Sequence, residues 1–197
     1  MKLYLAQHGE ACGREINSNR HLTDQGLEDI QQVAEFLKRA GIRVHGVLHS
    51  GRLRAKQTAE LLANAIAPGI TVEISGLINP NDSPKTFDWQ RSSWSRDMLV
   101  VGHEPFLSRL VSHLLLKNEN LSVTDFQPGT VVCLEHLDNG QWNINWVIRP
   151  ELLRNLALVD SSEETDNKLD KTIKIRPKQG RKRLEHFFSH IFNAGHG

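Results

Sequence analysis

Between Leu3 and Leu114 short apolar runs alternate with segments of helical period, and this alternation restricts the fold more than any other feature. The run Leu3-Tyr4-Leu5-Ala6 stops at Gln7-His8-Gly9-Glu10. Residues 11–22 are polar and read as a loop. Thr23 then serves as an N-cap, Leu27, Ile30, Ala34 and Leu37 recur at helical spacing and Gly41 supplies the stop, which predicts a helix over 24–40. A strand over 44–50 follows, then a helix whose apolar face is Leu53, Ala59, Leu62 and Ile66, ended by Pro68-Gly69, then the β-branched run 70–74. Residues 75–97 read as a loop with one short helix. Met98-Leu99-Val100-Val101 repeats the opening theme by ending at Gly102-His103, and Pro105 opens a helix carrying Phe106, Leu110, Val111 and Leu114. Two last strands, 131–137 and 142–148, flank the hairpin-type turn Asp138-Asn139-Gly140, and the alternation of Trp142, Ile144, Trp146 and Ile148 with Asn143, Asn145 and Val147 predicts at least one buried face. The expected fold class is α/β, with a mostly parallel central sheet and helices on both faces, over residues 1–153.

The 197 residues, 39% of them hydrophobic, are enough to bury a sizeable core. A formal net charge of +1 gives no global reason to expect nucleic acid or a membrane as partner. Neither a leader pattern nor a bilayer-length apolar run is present, and Cys12 and Cys133 lack metal-type spacing, so the expectation is a cytoplasmic protein with free thiols. From residue 154 the composition changes. An acidic patch at Asp160, Glu163, Glu164 and Asp166 precedes a basic run from Lys171 to Arg183, and Leu184, Phe187, Phe188, Ile191 and Phe192 then recur at helical spacing. Residues 154–197 are therefore expected to form a charged extension ending in an amphipathic helix that packs on its own domain or on a second subunit, ahead of membrane contact. His186 and His190 have no third ligand nearby and read as surface residues, not a metal site. His45 and His49 read as one face of an edge strand.

In an open parallel sheet ligands bind beyond the carboxyl ends of the strands, which is where His8 and His103 are expected. Taken singly, His8 is a hydrogen-bonded loop residue, Arg54 a surface cation and His103 a capping histidine. Gly9 is expected to permit a sharp turn and close approach to a ligand. The four segments Gln7-His8-Gly9-Glu10, Arg20-His21-Leu22-Thr23-Asp24-Gln25-Gly26, Ser50 through Ala59, and Val101-Gly102-His103-Glu104-Pro105 occur in that order. With them the chain resembles the histidine phosphatase superfamily, and most of all its small SixA-type phosphohistidine phosphatases. The resemblance covers residues 1–153 and implies a minimal phosphoglycerate mutase-like fold and chemistry without metal or cofactor. It makes His8 the nucleophile that accepts the phosphoryl group, Arg54 and His103 the groups that hold its oxygens, and Gln7, Gly9 and Arg20 further substrate contacts. Only a neutral imidazole is nucleophilic, so His8 is expected to be unprotonated and His103 to be a donor that is protonated part of the time. Helix N-termini beside Arg54 and Glu104-Pro105 favour a phosphate.

Gln7 stands where the resembled pattern has arginine. A guanidinium's charged fork is lost there, and Arg20 or Arg52 is the candidate to fill the space. Members acting on alkyl phosphates use an added carboxylic acid to protonate the leaving oxygen, commonly a glutamate after the third strand; between Glu73 and Glu104 this chain has none. Asp82, Asp88, Asp97 and Glu10 read as turn or surface residues. Imidazole, with a free pKa of ~6.5, leaves phosphorus more readily than an alkoxide. The resemblance and the missing acid together point to phosphohistidine on a protein, such as a phosphotransfer domain. Two alternatives stand beside that reading, a phosphate- or phosphohistidine-binding module weakened by Gln7 and a small-molecule phosphomonoesterase.

Overall fold

The computed structural model describes residues 1–16, 18–91 and 95–154, with the side chains of 89–91 excepted. Contacts divide the chain into Met1–Ala157 and Leu158–Gly197. The expectations for the extension, its amphipathic helix and His186 and His190 included, lie outside the described residues.

The elements run β1 (Lys2–Gln7), α1 (Asp24–Arg39), β2 (Gly46–His49), α2 (Leu53–Ile66), β3 (Val72–Ile74), α3 (Pro84–Arg91), β4 (Met98–Gly102), α4 (Phe106–Leu116), β5 (Val131–His136) and β6 (Trp142–Ile148). They form one six-stranded sheet in the order β3-β2-β4-β1-β5-β6. β3, β2, β4 and β1 are parallel, while β5 runs antiparallel to β1 and to β6.

Period-two alternation in β1 sorts its side chains between two cores. Tyr4 and Ala6 join Ile30, Val33 and Leu37 of α1 and Ala55, Ala59 and Leu62 of α2 on one face. Leu3 and Leu5 join Phe87 of α3 and Phe106, Leu107 and Leu110 of α4 on the other. Helices therefore cover both faces. The chain leaves β1 for α1 on the first face and leaves the adjacent β4 for α4 on the second, and open α/β sheets bind ligands beyond strand ends whose connections diverge in this way.

Three local expectations are corrected. The apolar face of α2 begins at buried Ala55, whereas Leu53, at the helix start, is 37% exposed. β2 is an interior strand between β3 and β4, not an edge; His45 precedes it and is exposed, and His49 is buried with Nδ1 accepting the Gly51 N–H at 3.0 Å. In β6 a register shift opposite Cys133 and Leu134 breaks the alternation, so Trp142 packs with one core and Trp146 against the other.

The packed region reaches Arg154. Its Nη1 meets both carboxylate oxygens of Asp29 at 2.7 Å, and Asp29 is buried on α1. No helix among the described residues is long and apolar enough to cross a membrane.

Candidate active site

The loop after β1 is shaped by two glycines whose missing side chains leave room for close packing. A Cβ on Gly26 would lie 2.2 Å from the carbonyl oxygen of Glu10, and one on Gly9 would lie 2.9 Å from Cγ1 of Ile30. Between them Thr23 caps α1: its Oγ1 accepts the Gly26 N–H at 3.0 Å, and its own N–H bonds the Glu10 carbonyl at 3.0 Å. The start of α1 is thereby laid directly on the chain leaving His8.

α2 completes the frame with residues spaced three and four apart on one face. Thr58 Oγ1 donates to the Arg54 carbonyl at 2.8 Å and accepts the Gly9 N–H at 3.0 Å, while Gln57 Oε1 accepts the Leu22 N–H at 2.9 Å. The Arg54, Gln57 and Thr58 pattern thus ties α2 to the loop that carries His8.

Within this frame His8 has a defined tautomer. Its Nδ1 lies 2.7 Å from the Gly9 carbonyl, which can only accept, so Nδ1 carries the proton and Nε2 the lone pair. Arg54, buried in the first turn of α2, donates from Nε to that Nε2 at 2.9 Å. The His8 and His103 rings face each other at a centroid distance of 4.9 Å and a tilt of 59°. His103 is buried, its Nε2 lies 2.6 Å from Ser50 Oγ, and its Nδ1 is buried without a partner. His8, Arg54 and His103 are therefore brought together from three separate segments.

Burial and cations hold both rings neutral. His8 is lowered to about 4, first by burial and then by Arg54, Arg20 and Arg52, against the Gly9 hydrogen bond, which acts the other way. His103 is lowered to about 3 by burial, then His8, Arg54, Arg52 and Arg20. The unprotonated His8 agrees with the sequence expectation. The partly protonated His103 does not: desolvation of its ring and the surrounding positive charge keep it neutral, so it can offer a neutral N–H only. Arg54 is lowered to about 10 by burial and by Arg20, Arg52 and Arg14, and stays cationic near neutral pH.

The remaining sequence candidates are placed differently. Gly9 is buried, gives its N–H to Thr58 and its carbonyl to His8, has no positive φ, and packs against α1. Gln7 ends β1 with its Oε1 buried and unpartnered. Arg20 sits at φ 52°, a conformation costing a non-glycine residue of order 1 kcal/mol, with Nε bonded to the Cys12 carbonyl at 2.9 Å. Arg52 is exposed at the N-cap of α2 and makes no capping bond with its side chain.

Ser50 and Thr58, both within the Ser50–Ala59 segment, join the site without a sequence signal of their own kind. Their signal is position alone, at a strand end and one turn past Arg54. The acids are engaged elsewhere. Asp82 Oδ2 accepts the Asn79 N–H, Asp88 pairs with His113, Asp97 accepts the Lys2 N–H, exposed Glu10 accepts from Thr23, and both Glu104 oxygens accept from Ser108.

The profile of the histidine phosphatase superfamily (branch 1) matches residues 3–76. An uncharacterized protein of Picosynechococcus is 30% identical over 155 residues, covering 71% of this chain and 92% of that protein. The phosphohistidine phosphatase SixA of Escherichia coli is 23% identical over 155 residues, covering 76% and 94%. A structure of the protein histidine phosphatase SixA complexed with tungstate superimposes with a TM-score of 0.68 at 23% identity, over 78% of this chain and 99% of that one. A neutral strand-end histidine faced by a buried arginine and a second histidine, on this sheet and with these relatives, places the chain: it belongs to the histidine phosphatase superfamily and is built like its SixA-type members.

Proposed function

We propose that the protein is a phosphatase acting on phosphohistidine carried by a protein. In the first step the lone pair on His8 Nε2 attacks phosphorus and a P–N bond forms while the P–N bond to the substrate imidazole breaks; a proton already on that ring's other nitrogen lets it leave as neutral imidazole. Positive charge that develops on His8 is stabilised by its Nδ1–H bond to the Gly9 carbonyl. Arg54 exchanges its contact with Nε2 for one with a phosphoryl oxygen, and His103 offers Nδ1–H to another. In the second step water attacks phospho-His8, the P–Nε2 bond breaks, and inorganic phosphate departs.

The observation that carries this reading is the engagement of the acids. Asp82, Asp88 and Asp97 each hold a structural partner, so among the described residues the segment between β3 and β4 offers no free carboxylic acid for an alkoxide leaving group. An imidazole leaving group needs less help of that kind. A second reading, a phosphohistidine-binding module with little turnover, is favoured by one feature. Gln7 presents a buried, unpartnered amide oxygen where the resembled pattern has a cation, and loss of one such donor commonly lowers turnover about 10²–10³-fold.

The test is phosphate release from a phosphohistidine protein by the native chain, Gln7→Arg and His8→Ala side by side. Native turnover that His8→Ala lacks, raised about 10²-fold in Gln7→Arg, is the expected result. Turnover by Gln7→Arg alone establishes the binding module, and faster hydrolysis of a sugar phosphate by the native chain overturns the substrate class.

A further inference from the structure

Four hydrogen bonds close a circuit through the site. Arg54 Nε donates to His8 Nε2 at 2.9 Å, His8 Nδ1 to the Gly9 carbonyl at 2.7 Å, the Gly9 N–H to Thr58 Oγ1 at 3.0 Å, and the Thr58 hydroxyl to the Arg54 carbonyl at 2.8 Å. Each direction is forced by chemistry, because a guanidinium and a backbone N–H can only donate and a carbonyl can only accept. The single hydroxyl hydrogen of Thr58 is thus committed to Arg54, and the neutral imidazole of His8 accepts at one nitrogen and donates from the other. All four donors run in the same sense, from Arg54 to His8, to Gly9, to Thr58 and back to Arg54.

Thr58 is the member of this circuit to which the chemistry above gives no part. A threonine within a helix commonly donates to the carbonyl four residues back, and that bond alone satisfies its hydrogen. Here the hydroxyl also accepts from a residue 49 positions earlier in the chain, and Thr58 is 0% exposed, so no solvent reaches that bond. Gly9 packs against α1 so closely that a Cβ would lie 2.9 Å from Ile30 Cγ1. Its backbone is thus fixed by α1 through packing and by α2 through Thr58, and its carbonyl is the group that takes the proton of His8 Nδ1. When Arg54 gives up Nε2 for a phosphoryl oxygen, the bonds through Gly9 and Thr58 remain to hold the imidazole in line.

We propose, resting on the reading of the site as a phosphohistidine phosphatase, that Thr58 is a positioning residue for phosphoryl transfer: its hydroxyl closes the circuit and holds His8 as the Nδ1–H tautomer, with the lone pair on the nitrogen that attacks phosphorus. Thr58 touches neither substrate nor reacting atoms; it acts through Gly9 on His8 and through the main chain on Arg54. Alignment of a nucleophile counts in the transition state, so its loss falls on kcat and leaves KM nearly unchanged.

The experiment compares the full native chain with Thr58→Val, which keeps the branched shape without the hydroxyl, Thr58→Ala, which also removes bulk, and Thr58→Ser, which restores the hydroxyl. Two readouts are taken: phosphate release from a phosphohistidine protein, and the ¹⁵N spectrum of the His8 imidazole at about pH 7, its signals identified by their absence from His8→Ala. The native imidazole is expected to show one tautomer, protonated at Nδ1. Thr58→Val and Thr58→Ala should show a mixture and a kcat about tenfold lower at nearly unchanged KM, and Thr58→Ser should regain the native tautomer and most of the native kcat. A native imidazole protonated at Nε2 overturns the proposal with no variant needed. So does a native spectrum and kcat in folded Thr58→Val or Thr58→Ala, or a Thr58→Ser as impaired as Thr58→Val. The spectrum separates this proposal from the one beneath it: a tautomer that Thr58 controls in a chain releasing no phosphate leaves the circuit standing and removes the phosphatase, whereas release by the native chain with tautomer and kcat unmoved in the variants does the opposite.

Discussion

His8 and His103 end two neighbouring parallel strands, face each other at 4.9 Å, and are both held neutral, yet their nitrogens are used in opposite ways. His8 gives Nδ1–H to a backbone carbonyl and keeps Nε2 as a lone pair against a guanidinium. His103 has Nε2 against a serine hydroxyl and Nδ1 unpartnered. A Ser50 hydroxyl that donates to Nε2 would leave the proton of His103 on Nδ1, and on the proposed reading the two rings would then serve as nucleophile and donor. The lesson is that a histidine's role is set by what its other nitrogen touches, more than by its place in the sheet.

The largest effect should come from breaking the nucleophile. His8→Ala is expected to lower phosphoryl transfer by about 10⁴-fold or more and to abolish acid-labile labelling of the protein by a phosphoryl donor. Retained labelling in that variant would place the nucleophile elsewhere. His103→Ala removes a donor and not the attacking atom, so kcat should fall about 10²–10³-fold while labelling persists at a slower rate; loss of labelling altogether would erase the distinction between the rings.

Ser50→Ala sharpens the comparison. The change removes the hydrogen bond that fixes His103, at roughly 1 kcal/mol, and should lower kcat about fivefold with KM nearly unchanged. Its diagnostic readout is the ¹⁵N spectrum of the His103 ring, which should change from one tautomer to a mixture; a single unchanged tautomer would show that Ser50 does not set it.

The smallest effect is on stability. Both rings have folded-state pKa values, about 4 and about 3, below the ~6.5 of an unfolded histidine. The unfolded chain binds more protons between those values, so stability rises with pH there. The contribution is complete above pH ~6.5 and is lost progressively as pH falls towards 4 for His8 and 3 for His103. Urea unfolding at about pH 7, 6 and 5 should show the decline, with a shallower slope in His103→Gln. A profile identical in the native chain and the variant would show that His103 is not held neutral by the fold.

Much of the fold was legible because periodicity is a local property. Strand runs, caps and the stops at Gly41 and Pro68-Gly69 are written in neighbouring residues, and the helices over Asp24–Arg39 and Phe106–Leu116 fall where apolar spacing places them. The face swap in β6 was not legible, because a register shift depends on how Cys133 and Leu134 meet their partners across the sheet. The same holds for β2, whose interior position follows from β3 pairing on one side of it and β4 on the other.

The site divides along the same line. The sequence by itself picked out His8, Arg54 and His103 as the candidates, since they belong to ordered segments whose spacing survives any packing detail. Tertiary structure alone decided their states. Burial and nearby arginines lowered His103 instead of leaving it partly protonated, Gly9 packed against Ile30 and bonded Thr58 and His8, and Ser50 met His103 across 53 positions of chain. Desolvation and hydrogen-bond direction depend on distances between segments remote in sequence, and such distances come into being only when the sheet closes.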